Sequence, residues 1–147
     1  MMTQRIGPTN PFVEFPADAI EQSIPDRFAQ QVRLHGGRLA VKDGVRALTY
    51  DALDLASNRV AHRILAERGI AEEPVALLLG HGAGVAVGIL GALKAGNFFV
   101  PLDPAYPEAR TRYMLEDSTA SVLVTDGEHA TVARRLASRA VAVIDID

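Results

Sequence analysis

Two apolar stripes at helical spacing precede residue 75. Phe28 and Val32 share one helical face, which predicts an amphipathic helix over Pro25–Leu34. A second stripe predicts a helix that begins after Thr49, whose hydroxyl can cap it, and that runs to about Arg68. Between the two helices, residues 38–42 and 46–49 flank Asp-Gly, which is a strong signal for an antiparallel hairpin.

From residue 75 onward, compact apolar runs alternate with helical patterns. Each crossover exceeds about a dozen residues, the length that joins parallel strands through a helix. A capping box is predicted from Thr125 and Glu128. The strand candidates are Val75–Leu79, Phe98–Val100, Ser121–Val124 and Val141–Ile144, and the helix candidates are Ala83–Ala95, Pro107–Asp117 and Gly127–Ser138.

The pattern predicts an α/β fold, a doubly wound and mostly parallel sheet with helices on both faces, preceded by a short antiparallel hairpin. Residues 1–24, with three prolines among polar residues, are predicted to be an N-terminal arm or linker. Residues 25–147 are predicted to be the folded part of the chain. Because the last apolar run is a strand that simply stops, we expect an incomplete first subdomain of a larger fold.

Composition narrows the function classes. The net charge of −3 provides no basic patch for nucleic acid, and the chain has no cysteine for disulfides or thiolate metal sites. Val75–Leu93 carries no charge and is long enough to cross a membrane, but Gly80, Gly82 and Gly84 interrupt it, which favours a buried strand, a tight turn and a buried helix. We therefore predict a cytoplasmic protein with no membrane or nucleic-acid partner.

No group of residues in the sequence has the types and spacing of a known catalytic site. The glycine turn followed by Asp103 suggests the dinucleotide-binding fingerprint, but its third glycine is displaced. The four histidines lie in separate elements without metal-ligand spacing. Asp103 is interpreted as a loop hydrogen-bond acceptor and Lys94 as a favourable charge at a helix C-terminus. Arg110 is either a solvated helix residue or a partner of the Asp103 loop.

The stretch Leu93–Arg110 is the most informative part of the chain. The stretch predicts the end of a helix, then a short buried strand at Phe98–Val100, and then a rigid loop from Pro101 to Pro107. Three prolines in this loop fix the path of the chain without hydrogen bonds. A new helix can begin at Pro107.

Two motifs in this sequence resemble adenylation domains. Leu48-Thr49-Tyr50-Asp51-Ala52-Leu53 resembles the first core motif of the family, with alanine where glutamate is common. Residues 93–104, LKAGNFFVPLDP, are similar to the second core motif. The sequence that follows, through Asp126, continues the resemblance to the family. The resemblance is to the N-terminal part of an adenylation domain of the adenylate-forming enzymes, with the nonribosomal peptide synthetases as the nearest group. It covers about residues 24–126.

The resemblance assigns structural family-motif roles to the following residues: Leu48, Thr49, Tyr50, Leu53, Lys94, Ala95, Gly96, Val100, Pro101, Asp103, Pro104, Tyr106, Pro107 and Arg110.

The resemblance implies a reaction for the complete enzyme. Such domains use ATP and Mg²⁺ to convert an amino acid into an aminoacyl-AMP and pyrophosphate. They then transfer the acyl group to a phosphopantetheine thiol on a carrier protein. The family's lysine-containing phosphate loop, ribose-binding aspartate, substrate pocket and C-terminal lysine have no counterpart in these residues.

We therefore predict no catalytic, cofactor-binding or metal residue and no cofactor for this portion alone. Its predicted partners are the remainder of the domain, a carrier protein and an amino-acid substrate. Two alternatives stay open: a non-catalytic truncated or docking module, and a stand-alone dinucleotide-binding α/β domain.

Overall fold

A computed structural model describes residues 14–147. Residues 1–13 of the predicted N-terminal arm lie outside the described part, and a short 3-10 helix, Ala17–Glu21, forms within the rest of it. The elements that follow are α1 (Ile24–His35), β1 (Leu39–Lys42), β2 (Ala47–Thr49), α2 (Tyr50–Arg68), β3 (Pro74–Leu78), α3 (Ala83–Lys94), β4 (Phe98–Leu102), α4 (Glu108–Asp117), β5 (Val122–Thr125), α5 (Ala130–Leu136) and β6 (Ala142–Asp145).

The strands form two sheets, as the alternation of patterns predicts. Strands β1 and β2 pair in antiparallel fashion around the Asp43-Gly44 turn. The other four strands form a parallel sheet in the order β4-β3-β5-β6. The predicted α/β class, with a hairpin followed by a parallel sheet, is therefore confirmed.

Helices cover both faces of the parallel sheet, each over its own apolar core. Alternate side chains of β3 point to opposite faces, so Leu77 belongs to one core and Leu78 to the other. Helices α2 and α3 complete the first core, and α4 and α5 complete the second. The sheet is therefore doubly wound, and β3 and β5 are buried on both sides.

Three local predictions are wrong. Strand β4 is an edge strand instead of a buried one, because it pairs only with β3, and Phe98 is 50% exposed. It also continues through Pro101 and Leu102, for which the sequence predicts a loop. An edge strand tolerates a proline because a missing N–H need not break the sheet. The capping box fails because Thr125 ends β5 and α5 begins only at Ala130.

The ends of α2 and the C-terminus of α3 follow the predicted capping chemistry, whereas Gly36 ends α1 in a right-handed conformation, with a φ of −43°. The Thr49 hydroxyl accepts a hydrogen bond from the Ala52 amide at 3.2 Å, and Gly69 ends α2 with a φ of 71°. Gly96 ends α3 in the same way, with a φ of 79°. Within residues 14–147, no helix is both long enough and apolar enough to span a membrane. The apolar run from Val75 instead divides into β3, a turn and α3.

Candidate functional site

A crevice lies at the carboxyl ends of β3 and β5, which is a common position for a ligand in α/β sheets. The chain leaves β3 toward β4 on one side and leaves β5 toward β6 on the other. In open α/β sheets, ligands bind where neighbouring strands diverge in this way. Here the crevice has a volume of about 320 Å³ and is lined by the glycine turn after β3, the residues after β5, the hairpin tip and Asp147.

Asp43 at the hairpin tip occupies the N-terminus of α3. Its Oδ2 accepts a hydrogen bond from the Ala83 amide at 2.7 Å, and its Oδ1 accepts from the amides of Val45 and Arg46. These backbone hydrogen bonds lower the pKa of Asp43 to about 2. A Cβ on Gly82 would lie 2.7 Å from the same carboxylate, so the glycine is needed for this close approach.

Asp126 closes the opposite side of the crevice. Its Oδ2 accepts from the Gly80 amide at 2.9 Å, and its Oδ1 lies 2.6 Å from Nδ1 of His129. Burial alone raises the pKa of Asp126, but the hydrogen bonds from Gly80 and His129 outweigh it and hold this pKa below its usual value. Asp126, rather than Thr125, also accepts from the His129 amide at the entry to α5.

Asp147 ties the hairpin to the end of the sheet. It accepts hydrogen bonds from the Gly127 amide at 2.9 Å and from the Arg46 guanidinium at 2.6 Å. These contacts lower the pKa of Asp147. The crevice is therefore lined by three carboxylates that bind the protein's own amides and cations, an arrangement that repels a phosphate.

This geometry argues against the dinucleotide-binding alternative. A pyrophosphate needs free amides at the helix N-terminus, whereas Asp43 already accepts from the first of them. Asp103 does not reach the crevice, because its Oδ1 accepts from the Ala105 amide at 2.8 Å within its own loop. His81 is exposed in the glycine turn. Among residues 14–147, no three or more histidine or acidic side chains are grouped so as to hold a metal ion.

The carboxylate contacts make the stability of the protein depend on pH. Because the pKa of Asp43 is about 2 when folded, below the ordinary 3.8, its stabilising contribution is full above about pH 4 and disappears as the pH falls toward 2. We expect Asp43→Ala to be less stable than the wild type at pH 7 and equally stable near pH 2. Urea denaturation at pH 7, 5, 4, 3 and 2 measures both. A difference that does not shrink with acidification would refute the charged contact.

The motif residues near residue 50 position α2. The Tyr50 ring lies tilted against the Phe28 ring of α1, with centroids 6.1 Å apart, and its centroid is 6.4 Å from that of the His35 ring. Leu48 packs at the edge of the first core, and Leu53 is buried in it. These contacts join α1, the hairpin and α2.

Lys94 forms hydrogen bonds with three side chains of α2. Its Nζ donates to Asp54 Oδ1 at 2.7 Å, to Ser57 Oγ at 2.8 Å and to Asn58 Oδ1 at 2.8 Å, and it lies 5.1 Å from the centre of the Phe28 ring. The sequence interpretation as a helix-end charge missed this cluster. A signal was available, because Asp54, Ser57 and Asn58 form a polar stripe at positions i, i+3 and i+4 of a largely apolar helix face.

The proline-rich loop is stiffened by its own side chains. The Arg110 guanidinium lies 4.1 Å from the centre of the Tyr106 ring, so of the two interpretations of Arg110 the partner of the loop describes its position. Pro107 precedes α4, and Pro104 lies within the turn that the hydrogen bond from the Tyr106 amide to the Asp103 carbonyl closes. The loop borders a second, apolar cavity of about 320 Å³.

The fold and this crevice together define a doubly wound α/β domain, in which Leu53 is buried in the first core and Lys94 contacts α2. Residues 28–147 match the family described as AMP-binding enzyme, and the chain belongs to that family. The resemblance to the N-terminal part of a nonribosomal peptide synthetase adenylation domain is confirmed by the relatives that follow.

Two synthases and one solved structure illustrate the similarity. Gramicidin S synthase 2 of Brevibacillus brevis is 41% identical over 105 residues, which cover 71% of this chain and 2% of that protein. Surfactin synthase subunit 2 of Bacillus subtilis strain 168 is 40% identical over 114 residues, covering 78% and 3%. The nonribosomal peptide synthetase FmoA3, in its form bound to alpha-methyl-L-serine-AMP, has a TM-score of 0.76 at 27% identity, covering 84% of this chain and 14% of that one. The chain thus spans a small fraction of each relative.

Proposed function

We propose that this chain is the N-terminal portion, residues 25–147, of an adenylation domain that activates an amino acid. The complete enzyme would use ATP and Mg²⁺ to form an aminoacyl-AMP, release pyrophosphate and transfer the acyl group to a phosphopantetheine thiol of a carrier protein in the cytoplasm. The observation that carries the proposal is the family match over residues 28–147. The aminoacyl-AMP bound to the similar FmoA3 agrees with it.

Within that enzyme, these residues supply a scaffold. Lys94 Nζ donates to Asp54 Oδ1, and Asp103 Oδ1 accepts from the Ala105 amide within its own loop. Three carboxylates of the crevice accept hydrogen bonds from backbone amides: Asp43, Asp126 and Asp147. A reaction that develops charge on phosphates needs cationic groups or a metal ion aimed at it. The crevice instead holds more carboxylates than cations. We therefore assign the reacting groups to parts of the domain that these residues do not include.

An exchange assay tests this assignment. Purified residues 1–147 should catalyse no amino-acid-dependent exchange of pyrophosphate into ATP. The arginine of the crevice, Arg46, already binds Asp147, so it is not available to stabilise charge on the transferred adenylyl group or the leaving pyrophosphate. Clear exchange would refute the scaffold assignment. Titration with NAD in the same preparation addresses the dinucleotide alternative: we expect no binding in the micromolar range, and a saturable micromolar isotherm would favour that alternative.

A further inference from the structure

The Lys94 ammonium group lies among acceptors that match its shape. Its Nζ is 2.7 Å from Asp54 Oδ1, 2.8 Å from Ser57 Oγ and 2.8 Å from Asn58 Oδ1, all on α2. An alkylammonium ion carries three N–H donors on one nitrogen, so three acceptors satisfy it. The centre of the Phe28 ring of α1 is 5.1 Å from the same nitrogen. We call Asp54, Ser57, Asn58 and Phe28 the ammonium cage.

The acceptors of the cage are oriented by hydrogen bonds within α2. Ser57 Oγ donates its proton to the Asp54 carbonyl oxygen at 3.0 Å, so its lone pairs are left to accept from Nζ. Asn58 Nδ2 donates to Asp54 Oδ2 at 3.1 Å, which leaves its carbonyl oxygen for the ammonium group. These contacts do not involve Lys94. The cage is therefore preorganised by the helix that carries it, whichever molecule supplies the ammonium group.

Charge and geometry define which ligand the cage can hold. Asp54 is its charged member, so a cation with a single charge balances it. Ser57 is buried and the Lys94 side chain is only 12% exposed, so water competes weakly for these acceptors. Each nitrogen of a guanidinium group carries at most two N–H donors and cannot serve three acceptors at one point. The cage therefore fits a primary ammonium group on an apolar chain.

A surface cleft leads from solvent to the cage. The cleft lies between α1 and α2, has a volume of about 360 Å³, and is lined by Asp54, Asn58 and Lys94 among others. The Asp26 carboxylate also lines it, which favours the approach of a cation. The four members of the cage line neither of the two cavities described above. A small cation can thus reach this position without entering the crevice.

We propose that the ammonium cage is a binding site for a primary alkylammonium ion, and that Lys94 fills it as a tethered ligand. The tether keeps the ammonium group at a high effective concentration, so a free amine does not displace it from the wild-type chain. Removal of the tether opens the site to the free ion. The site goes beyond the proposed function and does not depend on it.

The test removes the tether from the chain of residues 1–147 and returns the missing atoms in solution. Lys94→Ala deletes the atoms of n-propylammonium, so n-propylammonium chloride is the probe. Thermal unfolding followed by circular dichroism is compared at equal ionic strength in n-propylammonium, tetramethylammonium and sodium chloride. We expect n-propylammonium to raise the Tm of Lys94→Ala saturably, by about 4 °C or more over the other two salts. Tetramethylammonium has the charge but no N–H donor.

The other lysine of the chain provides the matched control. The sequence contains two lysines, and Lys42 is exposed. Lys42→Ala leaves Lys94 in the cage, so its Tm should be the same in n-propylammonium and sodium chloride. Adding Asp54→Asn to Lys94→Ala removes the carboxylate and should weaken the apparent affinity for n-propylammonium about tenfold or more. Equal Tm values of Lys94→Ala in the three salts would overturn the site, and so would equal rescue of the double variant.

A second measurement covers the case in which Lys94→Ala is unfolded in every salt. Nuclear magnetic resonance of the ¹⁵N-labelled wild type records the ammonium signals of its two lysines. An ammonium group held by three acceptors exchanges its protons slowly with water, so the Lys94 signal should persist under conditions in which the Lys42 signal is lost. Persistence supports the site. Loss of both signals together would overturn it.

Discussion

Replacing Gly91 with valine is expected to lower the free energy of unfolding by about 3 kcal/mol. Gly91 lies where α3 crosses α2, and a Cβ there would be 2.6 Å from Cβ and Cγ1 of Val60 and 3.3 Å from the Ser57 carbonyl oxygen. Val60 is buried and branched at Cβ, so it cannot rotate away. The two helices must separate to admit the new side chain. Urea denaturation followed by circular dichroism measures the loss.

Gly84→Val is the matched control in the same helix. A Cβ at Gly84 meets only the terminal Cδ1 of Ile146, at 3.3 Å, and that flexible end can move. We expect this variant to stay within about 1 kcal/mol of the wild type. If Gly91→Val were as stable as Gly84→Val, the close crossing of α2 and α3 would be wrong.

Replacing Lys94 with methionine is expected to cost about 2–4 kcal/mol. The Lys94 side chain is 12% exposed, and its ammonium group donates hydrogen bonds to three side-chain oxygens of α2. Methionine keeps most of the apolar stem but leaves Asp54, Ser57 and Asn58 without their shared donor. Thermal and urea unfolding measure the effect.

An exposed ion pair provides the comparison for Lys94. Arg112 contacts Glu108 at 2.9 Å, with side chains 40% and 42% exposed, so Arg112→Met should cost no more than about 1 kcal/mol. In a double-mutant cycle, Asp54→Asn and Lys94→Met should show coupling. Additive effects would mean that the cluster does not act as a unit.

Much of the fold could be predicted because local patterns and tertiary packing agree. The buried runs of β3 and β5, the Asp-Gly hairpin and the Thr49 cap each follow from a few neighbouring residues. A Cβ on Gly88 would lie 2.7 Å from Leu79, so the glycine allows α3 to pack closely on the chain that leaves β3.

What could not be predicted depends on residues far apart in the chain. Strand β4 reads as buried because its residues are apolar, and only the strand order shows that it lies at an edge. Asp43 occupies the N-terminus of α3 from the hairpin, a contact that no local motif encodes. Helix α5 begins later than the sequence predicts. The Asp126 carboxylate accepts hydrogen bonds from the amides of Gly80 and His129, and this pairing joins two parts of the chain that are far apart in sequence.

The measurement that tests the account most directly is pyrophosphate exchange by a hybrid enzyme. In it, residues 28–147 replace the part of FmoA3 that they match. The account predicts that the hybrid exchanges pyrophosphate into ATP when alpha-methyl-L-serine is present, because these residues supply scaffold and the rest of FmoA3 supplies the reacting groups. A hybrid that folds cooperatively, binds ATP and alpha-methyl-L-serine and yet shows no exchange would contradict it.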